Sequence, residues 1–219
     1  MELYNPNLKL FAEMEGFLRY YFAETSFPIS IQRPGFSKPQ ILFNTEQLTR
    51  PDVVDFYKNQ KDNPIIYEIW DYSKSNIFLL NQLGITNTKF IPLKIWPSYQ
   101  KQLVSYNSTN TYNFDIGFVG WVHGEKRTNI LQKIIDSGIS IDIIQDLYGE
   151  QRDQRLAKCR MILNIHFNEN YKIFEQYRCF AWLDIGKEVL SENSLDNDPR
   201  CINVSYNEIV PTLMKVLNK

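Results

Sequence analysis

The chain is poor in the residues from which most metal, redox and membrane motifs are built. Cysteine is scarce: Cys159, Cys179 and Cys201 lie far apart with no CxxC pair. That excludes a disulfide framework and reads as reduced thiols in a cytoplasmic setting. The two histidines, His123 and His166, are too few and too separated for a metal-ligand motif, so no metal and no cofactor are expected. Glycine is sparse as well, with no GxGxxG fingerprint and no GK[ST] P-loop, which disfavours an NAD-linked dehydrogenase. No apolar run reaches the roughly 18 residues needed to span a bilayer, and "MELYNPNLKLF" has no signal-peptide core. Neither charge sign dominates: 24 Lys+Arg face 25 Asp+Glu, a net charge of -1. That argues against a protein that lives on nucleic acid or on an anionic membrane.

What is present is apolar mass. The 219 residues are 43% hydrophobic and 14% aromatic, enough for a sizeable core and for one large domain or two small ones. From residue 114 onward, β-rich runs alternate with helical periodicity. "DIGFVG", "ISIDII", "RMILNIHF" and "KEVLSE" are separated by "EKRTNILQKIIDSG", "GEQRDQRLAKC" and "KIFEQYRCFAWLDIG". Strands nearly continuous in Ile, Val and Leu, spaced by helices, indicate a parallel sheet covered on both faces. Before residue 104 the pattern is shorter. Helical periodicity in "NLKLFAEMEGFLRYYFAE" precedes the strands "QILFN", "PIIYEIW" and "TKFIPL", with helices "RPDVVDFYKNQ" and "SKSNIFLLNQLG" between them. The polar stretch 105–113 reads as a linker, so the expected division is 1–104, 105–113 and 114–219.

"FDIGFVGWVHGEKRTNIL" concentrates the candidate chemistry. A strand runs into Gly117, Gly120 and Gly124, with His123 between the last two, and Lys126 and Arg127 open the next helix. Glycine lets backbone approach an anion and a helix amino terminus adds partial positive charge, so a diphosphate is a ligand of the right size. A plain βα turn with a solvated Lys-Arg pair is the alternative. Arg152, in "YGEQRD", is either a further cation or part of a charged helix face. His166 lies at the carboxyl end of a strand, where open α/β sheets bind ligands, or is a buried, hydrogen-bonded imidazole. Glu175 opens the next helix, where a carboxylate accepts from ribose hydroxyls or simply pairs with Arg178. Glu46 in "FNTEQL" and Asp71 in "IWDYSKSN" sit at strand ends, placed for a general base or for loop and cap chemistry. "DNDP" at 196–199 contains a DxD, but in a proline-ended polar loop that turn chemistry explains.

These pieces occur in a fixed order: "FNTEQL", "WDYSKSN", "FIPL", "DIGFVGWVHGEKRTNIL", "LYGEQRD", "LNIHF", "FEQYRCFAWLDIGK", "SEN". The set resembles nucleotide-sugar glycosyltransferases with two Rossmann-like halves (the GT-B fold), especially the group-one branch that includes spore-maturation-protein-like enzymes. The resemblance covers roughly residues 40 to 195 and implies an α/β fold of two such halves, the amino-terminal one shortened. It implies a nucleotide-sugar donor as substrate and no divalent metal. Gly120, His123, Lys126, Arg127 and Arg152 would lie at the diphosphate and Glu175 at the ribose. Asp71, Glu46 and His166 would be the catalytic candidates. The acceptor (a glycan, a lipid-linked or a protein hydroxyl) is left open, as is an oligomer. Retaining members carry a second Glu eight positions after the first; here that position is Leu183. The alternative reading is a non-catalytic nucleotide-binding module or partner subunit.

Overall fold

Short β-branched and aromatic runs become strands wherever both of their faces are buried, and the chain does this twice. The computed structural model describes residues 1–7, 9–108 and 111–219. They form two compact units, Met1–Leu93 and Lys94–Lys219, each built on a five-stranded, all-parallel sheet.

In the first unit the order is β1 (Leu3–Tyr4), β2 (Ile29–Ile31), β3 (Gln40–Phe43), β4 (Ile66–Asp71), β5 (Thr88–Phe90), sequential and without a reversal. All four residues of β3 are buried. Leu42 and Ile69 meet Val53 and Tyr57 of α2 (Pro51–Gln60) and Leu80 of α3 (Lys74–Gln82) on one face. On the other, Phe43 packs on Phe17 of α1 (Ala12–Tyr21), and Trp70 on Phe22 just beyond it. Pro51 opens α2 and the Ser73 hydroxyl accepts from the Asn76 N–H to cap α3, as the sequence predicts.

The second unit contains α4 (Pro97–Asn107), β6 (Phe114–Val119), α5 (Glu125–Asp136), β7 (Ile141–Ile144), α6 (Gly149–Ala157), β8 (Cys159–Asn164), α7 (Gln176–Asp184), β9 (Glu188–Glu192), β10 (Ile202–Val204) and α8 (Ile209–Leu217). Its strand order is β7-β6-β8-β9-β10. The chain therefore reverses direction between β6 and β8, the switch point at which doubly wound sheets bind ligands. Ile116, Phe118, Met161, Leu163 and Leu190 form one face with α5 and α8. Gly117 faces α6, where an added Cβ would lie 2.9 Å from Leu156 Cδ2 and 2.8 Å from Cys159 Sγ. Its lack of a side chain serves helix packing.

Three expectations need correction. The first unit is not short of strands: its sheet has as many as the second, because β1 and β2 are too brief for alternation to reveal. The second unit begins ahead of the expected linker, because Tyr99 and Leu103 of α4 bury themselves against α6 and α7. Thr109 and Asn110, in that expected linker, lie outside the described residues. Third, "LNIHF" stops being strand at Asn164, leaving His166 in the following loop. Among the described residues no helix is long and apolar enough to cross a membrane.

Lys187, at the head of β9, is 4% exposed. Its Nζ donates to Asn107 Oδ1 (2.8 Å) and to the Ala157 carbonyl (3.3 Å), between the rings of Tyr112 and Trp182. Burial pushes its ammonium down to about 8, with Cys159 nearby opposing the shift. Between that value and the ordinary lysine range the unfolded chain binds a proton that the folded chain has released, so stability rises with pH across this window. The full rise attributable to Lys187 is about 3 kcal/mol. Urea unfolding of Lys187→Met and the parent between pH 7 and pH 10.5 measures it. The variant's curve should lack that rise, and parallel curves would contradict the assignment.

Candidate functional site

The loop between β6 and α5 carries the switch-point crevice. Gly120 has φ +141 and Gly124, at the amino end of α5, has φ +109, conformations that favour glycine. A Cβ on Gly120 would lie 3.3 Å from both Arg127 Nη1 and Arg178 Nη2, so two guanidinium groups converge on this backbone. They border an open cleft of ≈ 270 Å³ lined by Gly120, Trp121, Arg127, Phe167, Tyr171, Glu175 and Arg178.

Arg127 is 3% exposed. Its Nη1 donates to the Trp121 carbonyl at 2.9 Å, and its Nε and Nη2 to the Ile165 carbonyl at 3.2 and 2.7 Å. The guanidinium lies between the rings of Phe118 and Phe167. Burial, and then the charge of Arg178, push it down to about 9, against the pull of Glu175. Arg178 Nη1 donates to Asn164 Oδ1 at 2.8 Å, and its Nη2 stands 3.6 Å from Glu175 Oε2. An anion placed above Gly120 would relieve this crowding of positive charge.

Lys126 turns the other way. Its Nζ pairs with Glu192 Oε1 at 2.6 Å and Glu169 Oε1 at 2.9 Å, over the ring of Tyr206. Burial opposes its charge, but the hydrogen bonds to Glu192 and Glu169 prevail and hold it above the ordinary lysine range. The expected Lys-Arg cradle is therefore split: Arg127 borders the cleft and Lys126 is matched by carboxylates outside it. His123 is exposed in the turn. Arg152 is not among the cleft-lining residues; it bonds Asp153 and the Tyr99 hydroxyl in the contact of α4 with α6.

His166 is 2% exposed. Its Nε2 lies 3.2 Å from the Asn193 carbonyl and 3.1 Å from Ser194 Oγ. A carbonyl only accepts, so Nε2 carries the proton and Nδ1 the lone pair. Its backbone N–H donates to Glu192 Oε2. Burial lowers its basicity, against the pull of Glu192 and Glu175. The imidazole braces the ends of β8 and β9 and does not line the cleft.

In the first unit, "FNTEQL" and "WDYSKSN" interlock. Asn44 Nδ2 donates to Asp71 Oδ2 (2.5 Å) and to the Glu46 carbonyl (2.8 Å), while Asn44 Oδ1 accepts from the Glu46 N–H. Asp71 Oδ1 accepts from the Ser73 N–H at 2.7 Å. Asn76 accepts from the Leu48 N–H and donates to the Glu46 carbonyl. Asp71 is 0% exposed, and its carboxylate holds the loop. Glu46 is only part-buried, hydrogen-bonded to Gln32 Nε2 and paired with Arg50, and borders a cavity of ≈ 110 Å³. Among the described residues no group of three or more His, Cys, Asp or Glu is arranged to hold a metal ion.

Sequence reasoning missed Arg178, Trp121, Phe167 and Tyr171 as cleft residues. Arg178 had a legible signal: three positions after Glu175, in the first turn of a helix that follows a switch-point strand. The aromatic residues had none beyond an unusual Trp in a glycine turn.

No protein-family model matches the chain. Its sequence is similar to proteins of Acanthamoeba polyphaga mimivirus. "Uncharacterized protein L140" is 31% identical over 160 residues, which cover 73% of this chain and 50% of that one. "Uncharacterized protein L137" is 30% identical over 177 residues, 80% of this chain and 23% of that one. "Uncharacterized protein L138" is 26% identical over 155 residues, 69% and 16% respectively. The chain thus spans half or less of the length of these curated relatives.

The loop interlock gives a stability prediction. Asp71→Ala leaves two buried donors unsatisfied and should cost about 2–4 kcal/mol. Glu46→Gln, in a part-exposed ion pair, should cost under about 1 kcal/mol. Urea unfolding of both variants checks this, and equal small losses would remove the structural role given to Asp71.

Proposed function

We propose that the chain is a metal-independent glycosyltransferase whose nucleotide-diphosphate-sugar donor occupies the switch-point cleft of the second unit. The convergence of Arg127 and Arg178 over the bare backbone of Gly120 carries this reading. The two guanidinium groups take the diphosphate, Glu175 accepts from the ribose hydroxyls, and Trp121 and Tyr171 offer flat apolar faces beside them. In the reaction an acceptor hydroxyl attacks the anomeric carbon. The carbon–oxygen bond to the diphosphate breaks, with its electron pair passing to the leaving oxygen. Developing negative charge then falls where the arginine pair is fixed in advance. A carboxylate base takes the hydroxyl proton if the reaction inverts. The resemblance of the motif order to two-half GT-B enzymes supports the transfer chemistry, and the cleft supports the donor.

A non-catalytic nucleotide-binding module is the second reading. It is favoured by the full burial of Asp71 and by the capture of Lys126 between two carboxylates.

Calorimetric titration with UDP, GDP, ADP, dTDP and CMP, with and without EDTA, tests the donor site. One nucleoside diphosphate should bind, unaffected by EDTA. A hydrogen bond to an ionised group contributes about 1.5–3 kcal/mol, so Arg178→Ala should weaken the diphosphate roughly 10- to 100-fold. The free nucleoside should be little affected, and Lys126→Ala should leave both unchanged. Equal losses for diphosphate and nucleoside would remove the assignment. Release of nucleoside diphosphate from the matching sugar donor then separates enzyme from binding module.

A further inference from the structure

β5 is the end strand of the first sheet and pairs with β4 on one side only. The Ile69 N–H donates to the Asn87 carbonyl and the Ile91 N–H to the Asp71 carbonyl, both at 2.8 Å. Alternate residues of a parallel strand bond to the same neighbour, so Lys89 also faces β4, while Thr88 and Phe90 turn their N–H and C=O groups outward. Among the described residues no loop satisfies those outward groups. Such an edge is a template for another strand.

The two sides of this edge differ in chemistry. α3 runs beside it: Lys74 Nζ stands 5.2 Å from the centre of the Phe90 ring, and Thr88 Oγ1 donates to Asn81 Oδ1 at 3.4 Å. Phe78 falls between those two contacts on the same stripe of α3, at i+4 from Lys74 and i−3 from Asn81. It is 61% exposed and Phe90 is 37% exposed, so an uncovered apolar shelf borders the open strand. Side chains alternate across a strand, so Lys89 points to the opposite face, where its Nζ lies over the Trp70 ring. Lys74 and Lys89 are exposed and form no ion pair among the described residues. Between Asp71 and the end of the first unit at Leu93 the chain has no Asp or Glu. On β4, Glu68 is taken up by Trp70 Nε1. A second copy of this chain fits poorly, because antiparallel self-pairing about Lys89 sets two ammonium groups side by side.

We infer that β5 docks an extended acidic segment of a partner protein as an added strand. Alternate residues of that segment are apolar, against Phe78 and Phe90, and acidic, toward Lys89. Main-chain bonds to Thr88 and Phe90 supply affinity, and the alternation supplies specificity. The inference stands on the first unit alone and does not depend on the nucleotide cleft.

The test uses the full isotope-labelled chain and a short capped peptide of alternating Glu and Val. The controls are the same residues in two blocks, a peptide of alternating Lys and Val, and vesicles of phosphatidylcholine with phosphatidylglycerol. The alternating acidic peptide should bind about tenfold or more tightly than either other peptide. Its binding should slow amide exchange at Thr88 and Phe90 about tenfold or more, and leave Lys89, already bonded to β4, little changed. Phe78→Ser and Lys89→Glu, both at exposed positions, should melt close to the parent and each weaken the peptide about tenfold. Lys89→Glu should also shift preference toward the Lys peptide. If either variant melts well below the parent, amide protection in the parent decides alone. The inference is overturned if the alternating acidic peptide does not bind, if the blocked order binds equally well, or if exchange at Thr88 and Phe90 does not slow. Vesicle binding that both variants abolish and the peptide does not compete with would assign the surface to a membrane instead, and would equally overturn it.

Discussion

One buried guanidinium holds the two sides of the switch-point crevice in register. Arg127 donates to the carbonyls of Trp121 and Ile165, which follow β6 and β8, the strands on either side of the reversal. Because Arg127 belongs to the first turn of α5, the same side chain fixes that helix against both loops. The charge is bearable there because carbonyl dipoles and two aromatic faces surround it. Its neighbour Lys126 does the opposite job, tying α5 to Glu192 at the end of β9. Two adjacent basic residues thus divide between a site and a strut, according to which face of the helix each occupies.

The first unit is organised around a different constraint. Asn44 leaves β3 and must turn sharply, and every polar atom of its side chain is used to fix that turn against Asp71 and Glu46. Asn76 then secures the next turn of the loop from α3. Charged and amide side chains that look catalytic in a list of motifs are here mostly framework. Glu46 is the member of the set that the framework presents at a cavity.

The sequence was readable where hydrophobic period and length agree. β6, β8 and β9 and the helices between them are long enough for buried runs and 3.6-residue stripes to be distinguished, and helix starts are marked by Pro51 and Ser73. β1 and β2 were not readable, since two or three residues show no period. α4 was missed because its tyrosine and leucine contacts are spread through polar sequence. For the candidate site, position along the strands was legible but side-chain direction was not. Nothing in "EKRTN" says that Lys126 meets Glu192 while Arg127 meets Ile165.

In the proposed function the arginine-bordered crevice at Gly120 binds the diphosphate of a nucleotide. Amide chemical-shift mapping of the isotope-labelled chain during titration with nucleoside diphosphates addresses it directly. The amides of Gly120, Trp121, Glu175 and Arg178 should move together and saturate with one Kd, while those of residues 44–57 stay in place. If the amides around Gly120 do not move with any diphosphate, or if the largest changes centre on Lys126, Glu169 and Glu192, the crevice is not the anion site and the account fails.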